Sequence, residues 1–259
     1  MEYGWIVGAG VLGLLVGSFL NVVILRLPAG ESVVSPGSRC PGCGTPLRWY
    51  HNIPLLSWLA LRGRCAHCGQ PIGWQYPLVE AATALLWAGN VAAFGPGPEA
   101  VRAIVFLTFL LAIAGTDARF YLIPDELSLG GAVAGIAMAG AFELRGTPPA
   151  GIGLQEAVLG ALVGSATLWL VAVVGGWALK REAMGGGDIK MMALIGAFLG
   201  WKGALLTVFL GALAGTLVFV PISLKSDRLV PFGLFLALGA GLALYLGDPL
   251  LDWYMGFYR

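Results

Sequence analysis

The sequence predicts an all-α polytopic membrane protein of about eight transmembrane helices, with a small cytoplasmic zinc-binding insertion after helix one. Three observations predict it. Hydrophobic residues make up 58% of the 259-residue chain and charged residues 11%, at a mean hydropathy of +0.83; so few charges cannot cover a soluble globule of this length. Apolar runs of membrane-crossing length recur along the chain. All four cysteines fall in one polar interval of about fifty residues.

The first element is the uncharged stretch from Tyr3 to Leu25. It lacks the basic leader region and small-residue cleavage site of a secretory signal, so it reads as a retained helix. After Arg26 the chain turns to prolines, cysteines and polar turns until Tyr76-Pro77 opens the next apolar stretch. Apolar runs then cover 78–94, 101–116, 122–142, 154–179, 189–200, 203–224 and 231–251. The run at 189–200 is short for a crossing. The domains expected are a first helix at 1–26, a cysteine-bearing insertion at 27–76 and a membrane core of about seven helices at 77–259. Among 40 glycines, pairs four apart recur at Gly13/Gly17, Gly131/Gly135, Gly160/Gly164, Gly196/Gly200 and Gly211/Gly215. Such pairs let membrane helices approach closely and carry no chemistry of their own.

Basic residues give the orientation, because cytoplasmic loops are enriched in them. With the cysteine interval inside, that side holds Arg26, Arg39, Arg48, Arg62, Arg64, Arg119, Lys180, Arg181, Lys190, Lys225 and Arg228. The other side holds Arg102, Arg145, Lys202 and Arg259. Eleven against four supports the eight-helix count and places Asp117, Asp125 and Asp188 at cytoplasmic helix ends. The net charge of +1 points to no polyanionic partner, and none of nucleic-acid type is expected.

Cys40 and Cys43, then Cys65 and Cys68, form two C-x-x-C knuckles separated by 21 residues. Each knuckle presents two sulfurs and the loop between brings the pairs together, which suits tetrahedral zinc. Disulfides are disfavoured in the cytosol, and plain buried thiols would not need the repeated spacing. His67 and His51 are nearby alternatives, but four cysteines already fill a zinc shell. With no open position for water the metal is structural, holding together a lobe too small to stabilise itself by core burial.

Ionisable groups at a membrane boundary are candidates for function. Asp188 follows three glycines in GGGDIK, and Asp117 opens DARFYLIPDELS. A helix cap is a respectable alternative for Asp188, and capping is the leading explanation for Asp125, which follows Pro124. Capping fails for Asp117, which closes a helix and faces the unfavourable end of its dipole. Two carboxylates at the rim could divide the roles of base and acid in peptide hydrolysis, with the glycines clearing room for a substrate backbone. By itself the pattern is weak, and it also suits a proton-relay pair in a transporter or channel with a zinc-stabilised cytoplasmic domain. Lys190 reads as a snorkelling lysine or a chemical group, and Glu80 as an interhelical hydrogen-bonding group or a site-lining one.

GSFLNVVILRLP at 17–28, the cysteine segment from Ser38 to Ile72, YPLVE at 76–80, the D-x-x-x-x-x-IPD segment at 117–125, AMGGGDIKMMALIGAFLG at 183–200 and VPFGLFLALG at 230–239 occur in that order. Together they closely resemble the type IV prepilin peptidases, membrane aspartic proteases of the G-x-G-D class. The resemblance implies that Asp117 and Asp188 are the catalytic pair, that Asp125 belongs to the motif without that role, and that the cysteines form a cytoplasmic zinc domain. It also implies an enzyme of the bacterial cytoplasmic membrane that removes the basic leader of prepilins or pseudopilins at its cytoplasmic face. The cysteine-bearing form is associated with a second activity, N-methylation of the new terminus with S-adenosylmethionine. No G-x-G-x-x-G in a strand and helix context marks a methyl-donor pocket, so this activity is implied by the resemblance alone.

Overall fold

The computed structural model describes residues 2–180, 184–223 and 232–256. Arg181, Lys225, Arg228 and Arg259 of the charge count, and Val230 and Pro231 of the last motif, lie outside the described residues. Among those described, the helices are α1 (Glu2–Arg26), α2 (Leu56–Ala60), α3 (Gln75–Phe94), α4 (Pro98–Phe120), α5 (Asp125–Leu144), α6 (Leu154–Leu179), α7 (Gly186–Ser223) and α8 (Phe232–Gly256). All except α2 are long and apolar enough to cross a membrane. The chain divides into two compact units, Met1–Ile104 and Val105–Arg259.

In the first unit α1 packs on α3 along the face that carries Gly13 and Gly17. A Cβ on Gly13 would lie 2.8 Å from Ala84 Cα, and one on Gly17 would lie 2.7 Å from Glu80 Cα. In lipid, where burial of apolar surface gains nothing over contact with acyl chains, such close van der Waals approach is what holds helices together. A polar tie reinforces the pair: the buried Asn21 amide donates to Tyr76 O at 3.1 Å and to Gly17 O at 3.3 Å. Between these helices the polar interval forms two cysteine turns and the short α2.

In the second unit the first limb of α7 is the centre. Met191, Met192, Leu194, Ile195, Ala197 and Phe198 are all buried. Gly131 and Gly135 of α5 give room to Leu194 and Phe198, and Phe198 stacks on Phe106 of α4, ring centroids 5.1 Å apart. Gly160 of α6 meets Gly196 backbone to backbone, where no side chain fits on either.

The eight apolar segments expected from the sequence fall into seven long helices because α7 holds two of them. It breaks at Gly200, whose φ of 68° and ψ of 178° suit only glycine. A Cβ on Gly164 would touch both Met192 O, at 2.6 Å, and Ala204 Cβ, at 3.4 Å. In a straight helix those two residues stand about 18 Å apart, so the chain folds back at Gly200. The short run at 189–200 is thus one limb of a hairpin, wrapped by other helices.

Candidate functional site: a carboxylate pair and a four-cysteine cluster

Asp117 lies in the last turn of α4 and is buried, 6% exposed. The helix ends just beyond it: the Tyr121 N–H donates to Asp117 O at 2.9 Å, Tyr121 takes a positive φ of 54°, and Pro124 cannot continue the helix. Its carboxylate points at the start of α8 and accepts the Leu234 N–H at 3.1 Å. A helix start offers unpaired N–H groups and the positive end of its dipole, both favourable to an anion. The approach depends on Gly233, where a Cβ would lie 2.8 Å from Asp117 Oδ2 and 2.8 Å from Ile123 Cδ1.

Asp188 stands in the first turn of α7, partly exposed, with its carboxylate turned back toward the backbone of Gly185. Gly187, between them, also packs on Ile123, with 3.0 Å from a would-be Cβ to Ile123 Cβ. Ile123 therefore touches both the glycine beside Asp188 and the glycine beside Asp117, and the two carboxylates are near enough to interact electrostatically. Residues 71 positions apart in the chain meet because α4 ends, and α7 and α8 begin, at one end of the unit. Gly233, Leu234 and Ile123 carry no polar side chain, and the sequence marks them only as members of the 117–125 and 230–239 motifs, with no role of their own.

Asp125 does not act as a cap. The N-cap position of α5 belongs to Pro124, and the Asp125 carboxylate instead takes Lys190 Nζ on both oxygens, at 2.7 and 2.8 Å. The pair joins the first turns of α5 and α7, and it accounts for both residues without lipid snorkelling. Both side chains are exposed, at 57% and 42%. Glu80 is buried and accepts the Leu55 N–H at 2.8 Å, so its carboxylate fastens the segment before α2 onto α3.

The cysteines form the second cluster. In each knuckle the amide of the first cysteine bonds to a carbonyl five residues on, Thr45 O at 3.0 Å and Gln70 O at 2.8 Å. The glycine after the second cysteine, Gly44 or Gly69, turns the chain at φ 70° or 71°. The two knuckles are thus copies of one turn. All four Sγ atoms lie within 4.8 Å of one another, and those of Cys40 and Cys68 are 3.8 Å apart. Tetrahedral zinc with Zn–S bonds of about 2.3 Å sets its sulfurs about 3.8 Å apart, so the cluster fits that ion. Thr45, through its hydroxyl and its backbone, holds the Cys43 thiol down at about 6, and the backbone of Cys68 and His67 lowers that of Cys65. At Cys68 the Gln70 backbone is outweighed by desolvation and the neighbouring thiols, which raise the thiol to about 11. Thiolate is the form that binds metal. Neither histidine joins the cluster: His67 contributes only its backbone N–H, toward Cys65 Sγ, and His51 packs edge-on to Tyr50.

Seven long apolar helices define a multi-pass membrane protein, and its second unit brings two aspartates to one end. Two family models match the chain, the bacterial peptidase A24 N-terminal domain over residues 11–94 and the type IV leader peptidase family over residues 104–220. The prepilin leader peptidase/N-methyltransferase of Xanthomonas campestris pv. campestris is 37% identical over 280 residues, covering 96% of this chain and 94% of the relative. Its Pseudomonas aeruginosa counterpart is 38% identical over 275 residues, covering 95% and 92%. The Myxococcus xanthus counterpart is 43% identical over 221 residues, covering 85% of this chain and 64% of that relative. No solved structure matches. The chain belongs to the type IV leader peptidase family.

Proposed function

We propose that this protein cleaves the basic leader from type IV prepilins or pseudopilins, with Asp117 and Asp188 as the catalytic pair. The observation that carries the reading is the meeting of these two carboxylates across Ile123, each flanked by a glycine. The substrate is itself a membrane helix with a basic segment before it. Its scissile bond arrives at the level where α4 ends and α7 begins, on the cytoplasmic side of the bacterial inner membrane. The ionised aspartate takes a proton from water as the oxygen attacks the carbonyl carbon, and the protonated aspartate donates to the carbonyl oxygen. Collapse of the tetrahedral species breaks the C–N bond, and the leaving amine takes up a proton.

The other buried polar groups favour a peptidase over an ion path. Thr83, Thr116, Ser128 and Thr207 each donate to a carbonyl of their own helix, at 2.7 to 3.2 Å, and Asn21 ties α1 to α3. Polar side chains used this way do not line a continuous route for a cation.

Residues 27–76 serve on this reading as a structural zinc domain held by Cys40, Cys43, Cys65 and Cys68, and residues 77–259 as the peptidase core. The relatives' names support a second activity, N-methylation of the freed terminus with S-adenosylmethionine as donor. Zinc and cleavage chemistry are then separable. Mass spectrometry of a processed prepilin reads the cut and the added methyl together. Asp117→Asn and Asp188→Asn should each abolish the cut, whereas cysteine substitutions should damage methylation more than cleavage. Turnover by either aspartate variant at the wild-type rate would remove that residue from the mechanism.

A further inference from the structure

We infer that α2 and the residues flanking it form an interfacial lobe that rests on anionic phospholipid. The depth of α2 follows from its attachment. The helix α3 has 20 residues, and 20 residues of α-helix span about 30 Å, the thickness of the hydrocarbon core. Glu80, which accepts the Leu55 N–H, is five residues along it, about 7 Å from its start. The antiparallel partner agrees: Glu80 stands against Gly17, nine residues and about 13 Å before α1 ends at Arg26. The Glu80 side chain leans toward the start of α3, so the first residue of α2 is held close to the level at which these helices leave the membrane.

The side chains match that depth. Leu56 and Leu59, one turn apart on α2, are 66% and 63% exposed, and Trp49 and Trp74 are exposed still further. Among the described residues they stay open, Trp74 against Trp58 and Trp49 edge-on to Tyr50, and in water such a group would be a costly apolar surface. Tryptophan at the entry to a spanning helix is the residue that favours the headgroup level. The charge is complementary too. Residues 27–74 hold Arg39, Arg48, Arg62 and Arg64, all exposed, against the single acid Glu31. Even with the two net negative charges of a zinc tetrathiolate the lobe stays positive. A positive, aromatic lobe is suited to anionic headgroups and would repel a basic leader peptide.

The test uses the full chain in nanodiscs of phosphatidylcholine, with increasing fractions of phosphatidylglycerol brominated near the glycerol end of its chains. The emission removed by Trp49→Phe and by Trp74→Phe isolates the contribution of each residue. That contribution should be quenched by the brominated lipid and shielded from aqueous iodide. Brominated phosphatidylglycerol should quench at lower mole fraction than brominated phosphatidylcholine. Each of Arg48→Gln, Arg62→Gln and Arg64→Gln should weaken this preference by about fivefold or less. Leu56→Gln with Leu59→Gln should restore access to iodide, and zinc content checks that the variant lobe is folded. Quenching by iodide but not by brominated chains would put the lobe in water and overturn the inference. So would equal quenching by the two lipids, or shielding that appears only when a prepilin leader peptide is added.

Discussion

Gly233→Ala is the most direct perturbation of the carboxylate site that leaves both aspartates in place. The new methyl would lie 2.8 Å from Asp117 Oδ2 and from Ile123 Cδ1. Ordinary contact begins near 3.4 Å, so the start of α8 and the carboxylate must part by about 0.6 Å. The bond from Leu234 N–H, now 3.1 Å, then stretches past useful length. Hydrogen bonds to charged groups are worth about 1.5–3 kcal/mol. Misplacing a catalytic group by about 1 Å can cost about a hundredfold in rate. A loss of about 10- to 100-fold in kcat/KM for prepilin cleavage is expected, with the protein still in the membrane and its metal content unchanged. Trimming the other contact with Ile123→Val should not restore the rate, because the clash with Asp117 remains. Time-resolved conversion of prepilin to mature pilin on gels measures it. Wild-type turnover by Gly233→Ala would refute the argument that α8 must touch Asp117 for that aspartate to work.

Elemental analysis of the purified protein should find a single zinc per chain, lost in the Cys40→Ser, Cys43→Ser double variant; undiminished zinc there would dismiss the cluster as the site. Gly200→Ala should destabilise by about 1–3 kcal/mol, read as a lower melting temperature, because its φ of 68° and ψ of 178° are strained for any side chain. Asp125→Asn and Lys190→Gln should each cost no more than about 1 kcal/mol, since the pair is exposed. Their double variant should cost no more than the larger of the two, which a thermal double-mutant cycle would show.

Most of the helical framework was legible because membrane helices announce themselves by composition, and the cysteine turns because their spacing is that of their ligand geometry. The glycine pairs were legible only as small residues. That Gly160 faces Gly196, and that Gly17 faces Glu80, depends on which helices become neighbours, and one sequence does not encode that in any local pattern. The reversal at Gly200 is hidden for a related reason, since a glycine among glycines gives no sign that its backbone is the one that turns. Asp125 shows a different limit: its position after proline fits a cap, yet its carboxylate is drawn 65 residues along the chain to Lys190.

Asp117 is where the local and the long-range arguments conflict most usefully. From sequence, a carboxylate in the last turn of a helix opposes that helix's dipole and should be unfavourable. The structure answers the conflict with a second helix: the start of α8 supplies an N–H and a dipole of the opposite sense to the same carboxylate, and Gly233 permits the contact. Asp188 sits in its own favourable position, in the first turn of α7. One carboxylate is thus supported by the helix that carries it and the other by a helix more than a hundred residues away. Changes at the α8 start should for that reason act directly on Asp117 and reach the G-x-G-D turn only through Ile123, so a Gly233 variant should slow cleavage chiefly by misplacing Asp117.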